Sequence, residues 1–223
     1  MTPSAMIFAA GFGTRMGDLT RDLPKPMLPL GGRPMIAHTI DLLRDAGINH
    51  IVANTHYLAD QIEQYLKDQE VLVHREMPDI LDTGGGLRAA LPILGDGPVI
   101  TINPDALWQG PNPVLALLQA WSPKMRALLM LVPATGAVGA TGTGDFSLEH
   151  GQIQRKGPFF YGGAQIITTD LLDQIEGSVF SLNAYWDLLA GIGPVHGIVH
   201  SGTWHDIGHP EGLAAAEESL RSV

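Results

Sequence analysis

The stretch Ala5-Met6-Ile7-Phe8-Ala9-Ala10 runs without a break into Gly11-Phe12-Gly13-Thr14-Arg15-Met16. A short continuous apolar run that stops at a glycine cluster is the pattern of a strand buried on both faces, hence a central strand of a parallel sheet. Working outward, Pro34 opens a segment whose apolar residues Met35, Ile36, Ile40, Leu43 and Ala46 recur at helical spacing, with Gly47 placed to end it. Residues 50–54 then read as a strand, 58–66 as a helix, 71–74 as a strand, 87–91 as a short helix and 99–103 as a fourth strand. Strand and helix alternate, which predicts an α/β protein: a three-layer α/β/α sandwich around a Rossmann-like, mostly parallel sheet, with ligands beyond the carboxyl ends of its strands.

The second half is less regular. Residues 114–121 look helical, 128–133 extended, and 134–144 form a loop rich in Gly, Thr and Ala. A hairpin is expected over 146–148 and 152–154 around Glu149-His150-Gly151, then a strand over 163–167, helices around Leu171 and over 184–189, and a closing helix over 210–220. No repeat and no composition break divides the chain, so one domain over 1–223 is expected, in halves of about 1–110 and about 111–223.

Composition narrows the function classes. The chain has 223 residues, 45% of them hydrophobic and 16% charged, which suffices for a core and excludes a disordered reading. The net charge of −10 disfavours nucleic acid and anionic membrane as partners, so an anionic ligand needs a local exception. The absence of cysteine removes disulfides, thiolate metal sites and Cys nucleophiles. Residues 1–10 carry no basic leader, and a cytoplasmic location is expected, as a monomer or small homo-oligomer.

The first local exception follows the first strand. Ala9, Ala10, Gly11 and Gly13 let backbone amides approach a bulky anion, Arg15 can fork onto phosphate oxygens, and Thr14 adds a hydroxyl. Two glycines after a strand also suit a purely structural turn. In Leu23-Pro24-Lys25-Pro26-Met27, the prolines hold the backbone extended on both sides of Lys25, which offers a positioned ammonium; read alone, an isolated Pro-Lys-Pro is more often an exposed loop lysine.

Together, Ala9-Ala10-Gly11-Phe12-Gly13-Thr14-Arg15-Met16, Pro24-Lys25-Pro26-Met27-Leu28-Pro29-Leu30 and Gly31-Gly32-Arg33-Pro34-Met35-Ile36 resemble the opening signature of the sugar-1-phosphate nucleotidyltransferases in type, order and spacing. The resemblance implies a GT-A-like nucleotidyltransferase fold, with the nucleotide in the first half and the sugar phosphate in the second. It implies that Gly11, Gly13, Thr14, Arg15 and Lys25 bind the NTP phosphates, beside Ala9, Ala10 and Asn103. Asp82-Thr83-Gly84-Gly85-Gly86 is similar to the family's base-recognition loop, which points to Thr83 and Gly84 as nucleoside contacts, with Glu76 upstream to accept a base N–H. Asp105, in Asn103-Pro104-Asp105, and Asp206, in Trp204-His205-Asp206-Ile207-Gly208-His209, match the family's two magnesium-binding aspartates, so Mg²⁺ is the implied cofactor. Pro104 and His209 depart from the family pattern. His205 and His209 beside Asp206 read more simply as packing or capping residues than as a transition-metal site.

Arg15, Lys25 and Asp105 are thus the implied catalytic residues, and Asp105 and Asp206 the metal ligands. Lys156, Tyr161 and Gly162, by analogy with the family's sugar-side segment, would meet the sugar phosphate. The short chain, the Thr-Gly-Gly-Gly loop and the Trp-x-Asp-x-Gly ending look most like the small N-acetylmuramate 1-phosphate uridylyltransferases of peptidoglycan recycling. This implies UTP and N-acetylmuramate 1-phosphate as small-molecule substrates. The same phosphate chemistry with glucose, mannose or choline phosphate acceptors is an alternative, and a non-catalytic nucleotide-sugar sensor is another.

Overall fold

In the computed structural model the described residues are 3–222; Met1, Thr2 and Val223, at the ends of the expected 1–223 span, lie outside them. The first strand, β1 (Ser4–Phe8), buries Ala5, Met6 and Ile7 completely, and it stops two residues before the expected end at Ala10. Two 3₁₀ segments (Thr14–Thr20 and Lys25–Met27) and a small hairpin, β2 (Pro29–Leu30) and β3 (Arg33–Pro34), lead into α1 (Met35–Asp45). Gly47, at φ 80°, takes the left-handed position after α1 that a side chain would resist. The alternation continues through β4 (Ile51–Thr55), α2 (Ala59–Asp68), β5 (Leu72–Arg75), α3 (Asp82–Leu94) and β6 (Val99–Ile102). Strands β5, β4, β1 and β6 pair in parallel, as the alternation predicts.

The remaining elements are β7 (Ala106–Gln109), α4 (Pro113–Ala120), β8 (Ala127–Pro133), β9 (Ala137–Val138), β10 (Phe146–Glu149), β11 (Gln152–Arg155), β12 (Phe159–Ile167), α5 (Leu182–Ala190), β13 (His196–Val199), β14 (Thr203–Asp206) and α6 (Pro210–Arg221). A nine-stranded sheet runs in the order β10-β11-β13-β8-β12-β6-β1-β4-β5. Strand β12 lies antiparallel between β6 and β8, so the sheet is parallel through β6 and mixed beyond it. Strands β7, β13 and β14 have no counterpart in the sequence reading. The stretch around Leu171 forms a 3₁₀ turn (Leu172–Gln174) instead of a helix, and the 134–144 loop contains β9.

Side-chain alternation along β1 sets the layers. Ala5 and Ile7 join one core with Ile36, Ile40 and Leu43 of α1, Ile62 and Leu66 of α2, and Val114 and Leu117 of α4. Met6 faces the opposite core, with Leu87, Ala90 and Leu94 of α3 and Tyr185, Trp186 and Leu189 of α5. Each large apolar side chain so buried contributes roughly 1.5–3 kcal/mol of transfer free energy. A smaller cluster, Met16, Leu28, Leu30, Met35, Leu107, Ile207 and Ala216, attaches α6 to the loop that follows β1. Among the described residues, no helix is long and apolar enough to cross a membrane.

Candidate active site

Beyond the carboxyl ends of β1, β4 and β6 lies a cavity of about 290 Å³. The residues from Phe8 to Arg15, except Phe12, line it, joined by Lys25, Asn54, Glu76, Asn103 and Asp105. Gly13 adopts φ 66°, and a Cβ there would stand 3.0 Å from both Lys25 Cβ and Thr20 Cγ2, so both conformation and space require glycine. The loop is fixed beneath by Asn54, whose Oδ1 accepts from Ala9 N at 2.8 Å, and beside by Thr20 Oγ1, which donates to Gly13 O at 3.1 Å.

Lys25 is not held on an extended segment between its prolines. It opens a 3₁₀ turn, is buried, and donates from Nζ to Asp105 Oδ2 at 2.6 Å. Arg15, by contrast, is exposed and makes no ion pair among the described residues. A Cβ at Gly208 would lie 2.6 Å from Arg15 Nη1 and 2.9 Å from Asp206 Oδ1, so glycine there leaves room for the guanidinium beside that carboxylate. The two aspartates meet because β7 and β14 pair antiparallel, with Ala106 opposite Asp206, and Ile207 N donates to Asp105 O at 2.9 Å. Pro104 does not draw Asp105 out of the cleft. Burial, and then the negative charge of Asp105, push the Asp206 carboxyl above its ordinary range, partly offset by Arg15 and Lys25.

That arrangement suits a divalent cation. Two carboxylates forced together are relieved by added positive charge, and both face a cleft open to phosphates. Among the described residues no group of three or more His, Cys, Asp or Glu is placed to hold a metal. The remaining ligands would therefore have to be phosphate oxygens and water. The histidines serve the fold: His209 accepts from Gly212 N as the N-cap of α6 and bonds Gly139 O at 2.9 Å, while His205 is buried against Gln109 Oε1 at 3.2 Å.

The base end differs from the sequence reading. The glycine triplet is the first turn of α3 and not a loop before it, and the amides of Gly84 and Gly85 already donate to Phe180 O at 2.9 and 3.0 Å. A Cβ at Gly84 would strike the Phe180 ring, one at Gly85 the carbonyl of Ser178, and one at Gly86 the Glu76 carboxylate. Gly84 is buried and does not line the cavity, whereas Asp82 and Thr83 do. Glu76 is buried in the cavity floor, with Oε1 accepting from Asn54 Nδ2 and Oε2 from Leu81 N, each at 2.7 Å.

Two further cavities adjoin the first. One of about 270 Å³ is walled by Phe146, Arg155, Tyr161, Asn183 and Trp186; another of about 240 Å³ holds Arg15, Asp145, Tyr161, Gly162, Trp204 and Asp206. Asn103 borders all three. It is positioned by a bulge in β12, where Gly163 at φ 83° accepts from Asn103 N at 2.8 Å. Burial pushes the Tyr161 phenol above its ordinary value. Tyr161 borders the second and third cavities and Gly162 the third, whereas exposed Lys156, in a left-handed turn position at φ 68°, lines none of the three. Sequence reasoning missed Asp145, Arg155, Asn183 and Trp186. Asp145 directly precedes β10, and the others meet where Arg155 of β11 bonds to Asn183 and Asp187 of α5, a tertiary contact with no local signal.

Residues 5–209 match the family described as the MobA-like NTP transferase domain. N-acetylmuramate alpha-1-phosphate uridylyltransferase of Caulobacter vibrioides is 36% identical, covering 97% of this chain and 96% of that protein. The enzyme of the same name from Neisseria meningitidis serogroup B is 32% identical, covering 92% of each. Among solved structures, HddC from Yersinia pseudotuberculosis complexed with GMP-PN superposes with a TM-score of 0.80 at 22% identity, covering 98% of this chain and 100% of that one, which establishes the shared fold.

Proposed function

We propose, from the premise that the chain belongs to the MobA-like NTP transferase family and is a sugar-1-phosphate nucleotidyltransferase, that it joins UTP and N-acetylmuramate 1-phosphate to give a UDP-sugar and pyrophosphate. The observation that carries the reaction is the convergence of Arg15, Lys25, Asp105 and Asp206 where the 290 and 240 Å³ cavities adjoin. The choice of acceptor rests on the two uridylyltransferase relatives, at 36% and 32% identity. On this reading residues 1–223 act as one catalytic domain, with the nucleotide held by the half up to about residue 110 and the acceptor by the rest, in the cytoplasm and in peptidoglycan recycling.

An oxygen of the acceptor phosphate attacks the α-phosphorus in line; a new P–O bond forms and the bond to the β-phosphate breaks, releasing pyrophosphate. The nucleophile is already anionic, so no general base is required, and catalysis comes from positioning and from neutralising repulsion between anions. The Gly11–Thr14 amides cradle the triphosphate. Arg15, exposed beside Asp206, forks onto phosphate oxygens, and Lys25 holds its ammonium where charge develops. Mg²⁺ bound by Asp105 and Asp206 would supply further positive charge to the reacting phosphates. Asn54 and Glu76 keep the cavity floor fixed beneath the nucleoside, and Thr83 borders it. Lys156, outside the cavities, has no part in this account.

The test is pyrophosphate release over a matrix of four NTPs and the 1-phosphates of N-acetylmuramate, N-acetylglucosamine, glucose and mannose, with phosphocholine alongside. UTP with N-acetylmuramate 1-phosphate is expected to give the highest kcat/KM. A higher value for another pair reassigns the substrates, and no release from any pair favours a sensor.

A further inference from the structure

The 270 Å³ cavity contains one lysine or arginine among its described lining residues, Arg155 at the end of β11. Its guanidinium is fixed in place. Nε and Nη2 donate to Asp187 Oδ1 at 3.2 and 2.8 Å, Nη1 donates to Asn183 Oδ1 at 2.7 Å, and Nη2 reaches Asn183 O at 3.2 Å. The cation also stands over the Phe146 and Trp186 rings, 5.3 and 5.5 Å from their centroids. An arginine has five N–H donors, so these four bonds leave one on Nη1 unused. Arg155 belongs to the part of the wall that neither neighbouring cavity shares, away from Arg15 and Lys25. Its side chain keeps 43% of its exposure despite these contacts.

We infer that Arg155 is the residue that selects the acceptor by its carboxylate. The inference rests on the acceptor reading above: N-acetylmuramate 1-phosphate carries a lactyl ether carboxylate, and N-acetylglucosamine 1-phosphate is the same sugar without it. With the acceptor phosphate directed to the α-phosphorus of the nucleotide held beside Arg15 and Lys25, a second negative group on the acceptor needs a separate cation, and Arg155 is the cation among this cavity's described lining residues. A planar fork whose orientation is already set by Asn183, Asp187 and two rings loses little entropy on gaining one more charge-assisted bond. The nearby Asp145 accepts from Tyr161 N through Oδ2 at 2.8 Å and leaves Oδ1 for a sugar hydroxyl. Lys156, one residue on, lies past the end of β11 in a left-handed turn conformation and does not line this cavity.

The experiment compares wild type, Arg155→Gln and Arg155→Lys with UTP and each of the two amino-sugar 1-phosphates. Hydrogen bonds to charged groups are worth enough that Arg155→Gln should lower kcat/KM for N-acetylmuramate 1-phosphate about tenfold or more, chiefly through KM. The same variant should change N-acetylglucosamine 1-phosphate turnover and the KM for UTP by less than about twofold, with Arg155→Lys intermediate. A parallel fall for both acceptors, or no fall for either, overturns the assignment. Wild-type enzyme assayed with the carboxyl methyl ester of the acceptor gives the same test without a variant: it should lose about the same factor, and equal turnover of acid and ester refutes the role. If wild type fails to turn over N-acetylmuramate 1-phosphate at all, the acceptor reading itself falls and this inference with it. That outcome is distinct from full wild-type activity with an indifferent Arg155.

Discussion

The catalytic account depends most on Lys25, a buried ammonium 2.6 Å from Asp105. Removing a preorganised charge contact of this kind typically costs about 3–4 kcal/mol in the barrier, so Lys25→Ala should lower kcat ~10²-fold or more while circular dichroism shows an intact fold. Near-normal turnover would remove Lys25 from the mechanism. The residue was legible in sequence because Pro24 and Pro26 flank it within a linked signature, but its constraint was not. The prolines suggested extended backbone, whereas Lys25 opens a 3₁₀ turn and is held by an aspartate 80 positions away. Arg155 shows the opposite case. Nothing in Gln154-Arg155-Lys156 distinguishes the arginine that enters a cavity from the lysine that turns to solvent; strand register and the turn after β11 decide it.

At the scale of elements, α3 and the β7–β14 pair assemble the cleft. The glycines of α3 admit neighbours so closely that Gly86→Ala would drive a methyl group into the Glu76 carboxylate and to 2.9 Å from Asn54 Nδ2. Overpacking of this sort costs about 1–3 kcal/mol, so Gly86→Ala should lower the denaturant midpoint and raise the KM for UTP. An unchanged midpoint would contradict the packing role. The sequence marked this segment by its glycines, yet their purpose lies in contacts with Glu76, Ser178 and Phe180, which are distant in the chain or on another element. Similarly, Asp105 and Asp206 were identifiable as separate motifs. Their meeting follows from a short antiparallel pair, β7 with β14, whose four-residue strands give too weak a period to read. Strong helical periods, in α1 and α6, survived nearly unchanged because burial on a fixed face dictates them.

For the whole molecule, a net charge of −10 coexists with a cleft into which Arg15, Lys25 and the Gly11–Thr14 loop face, the groups available there to meet phosphate oxygens. The same fold sets a pH limit. His200 is buried with its ring 4.9 Å from that of Trp108, and desolvation holds its pKa below the ordinary value. The unfolded chain therefore binds more protons as pH falls below about 6.5, so stability is full above that pH and declines beneath it, by at most about 1.4 kcal/mol per pH unit for this group. Denaturation at pH 7 and pH 5 should show a smaller loss in His200→Gln than in wild type; an equal loss would assign the effect elsewhere. The three-layer architecture was legible from alternation alone, whereas the insertion of β12 against β6 was not, since strand order in the second half depends on pairings across the chain. Incubating the protein with UTP, N-acetylmuramate 1-phosphate and Mg²⁺ and quantifying both products decides between enzyme and binding protein. Equimolar UDP-N-acetylmuramate and pyrophosphate are expected, abolished by a chelator and restored by added Mg²⁺; no UDP-sugar under these conditions, or the same yield with the metal removed, would overturn the metal-assisted transfer.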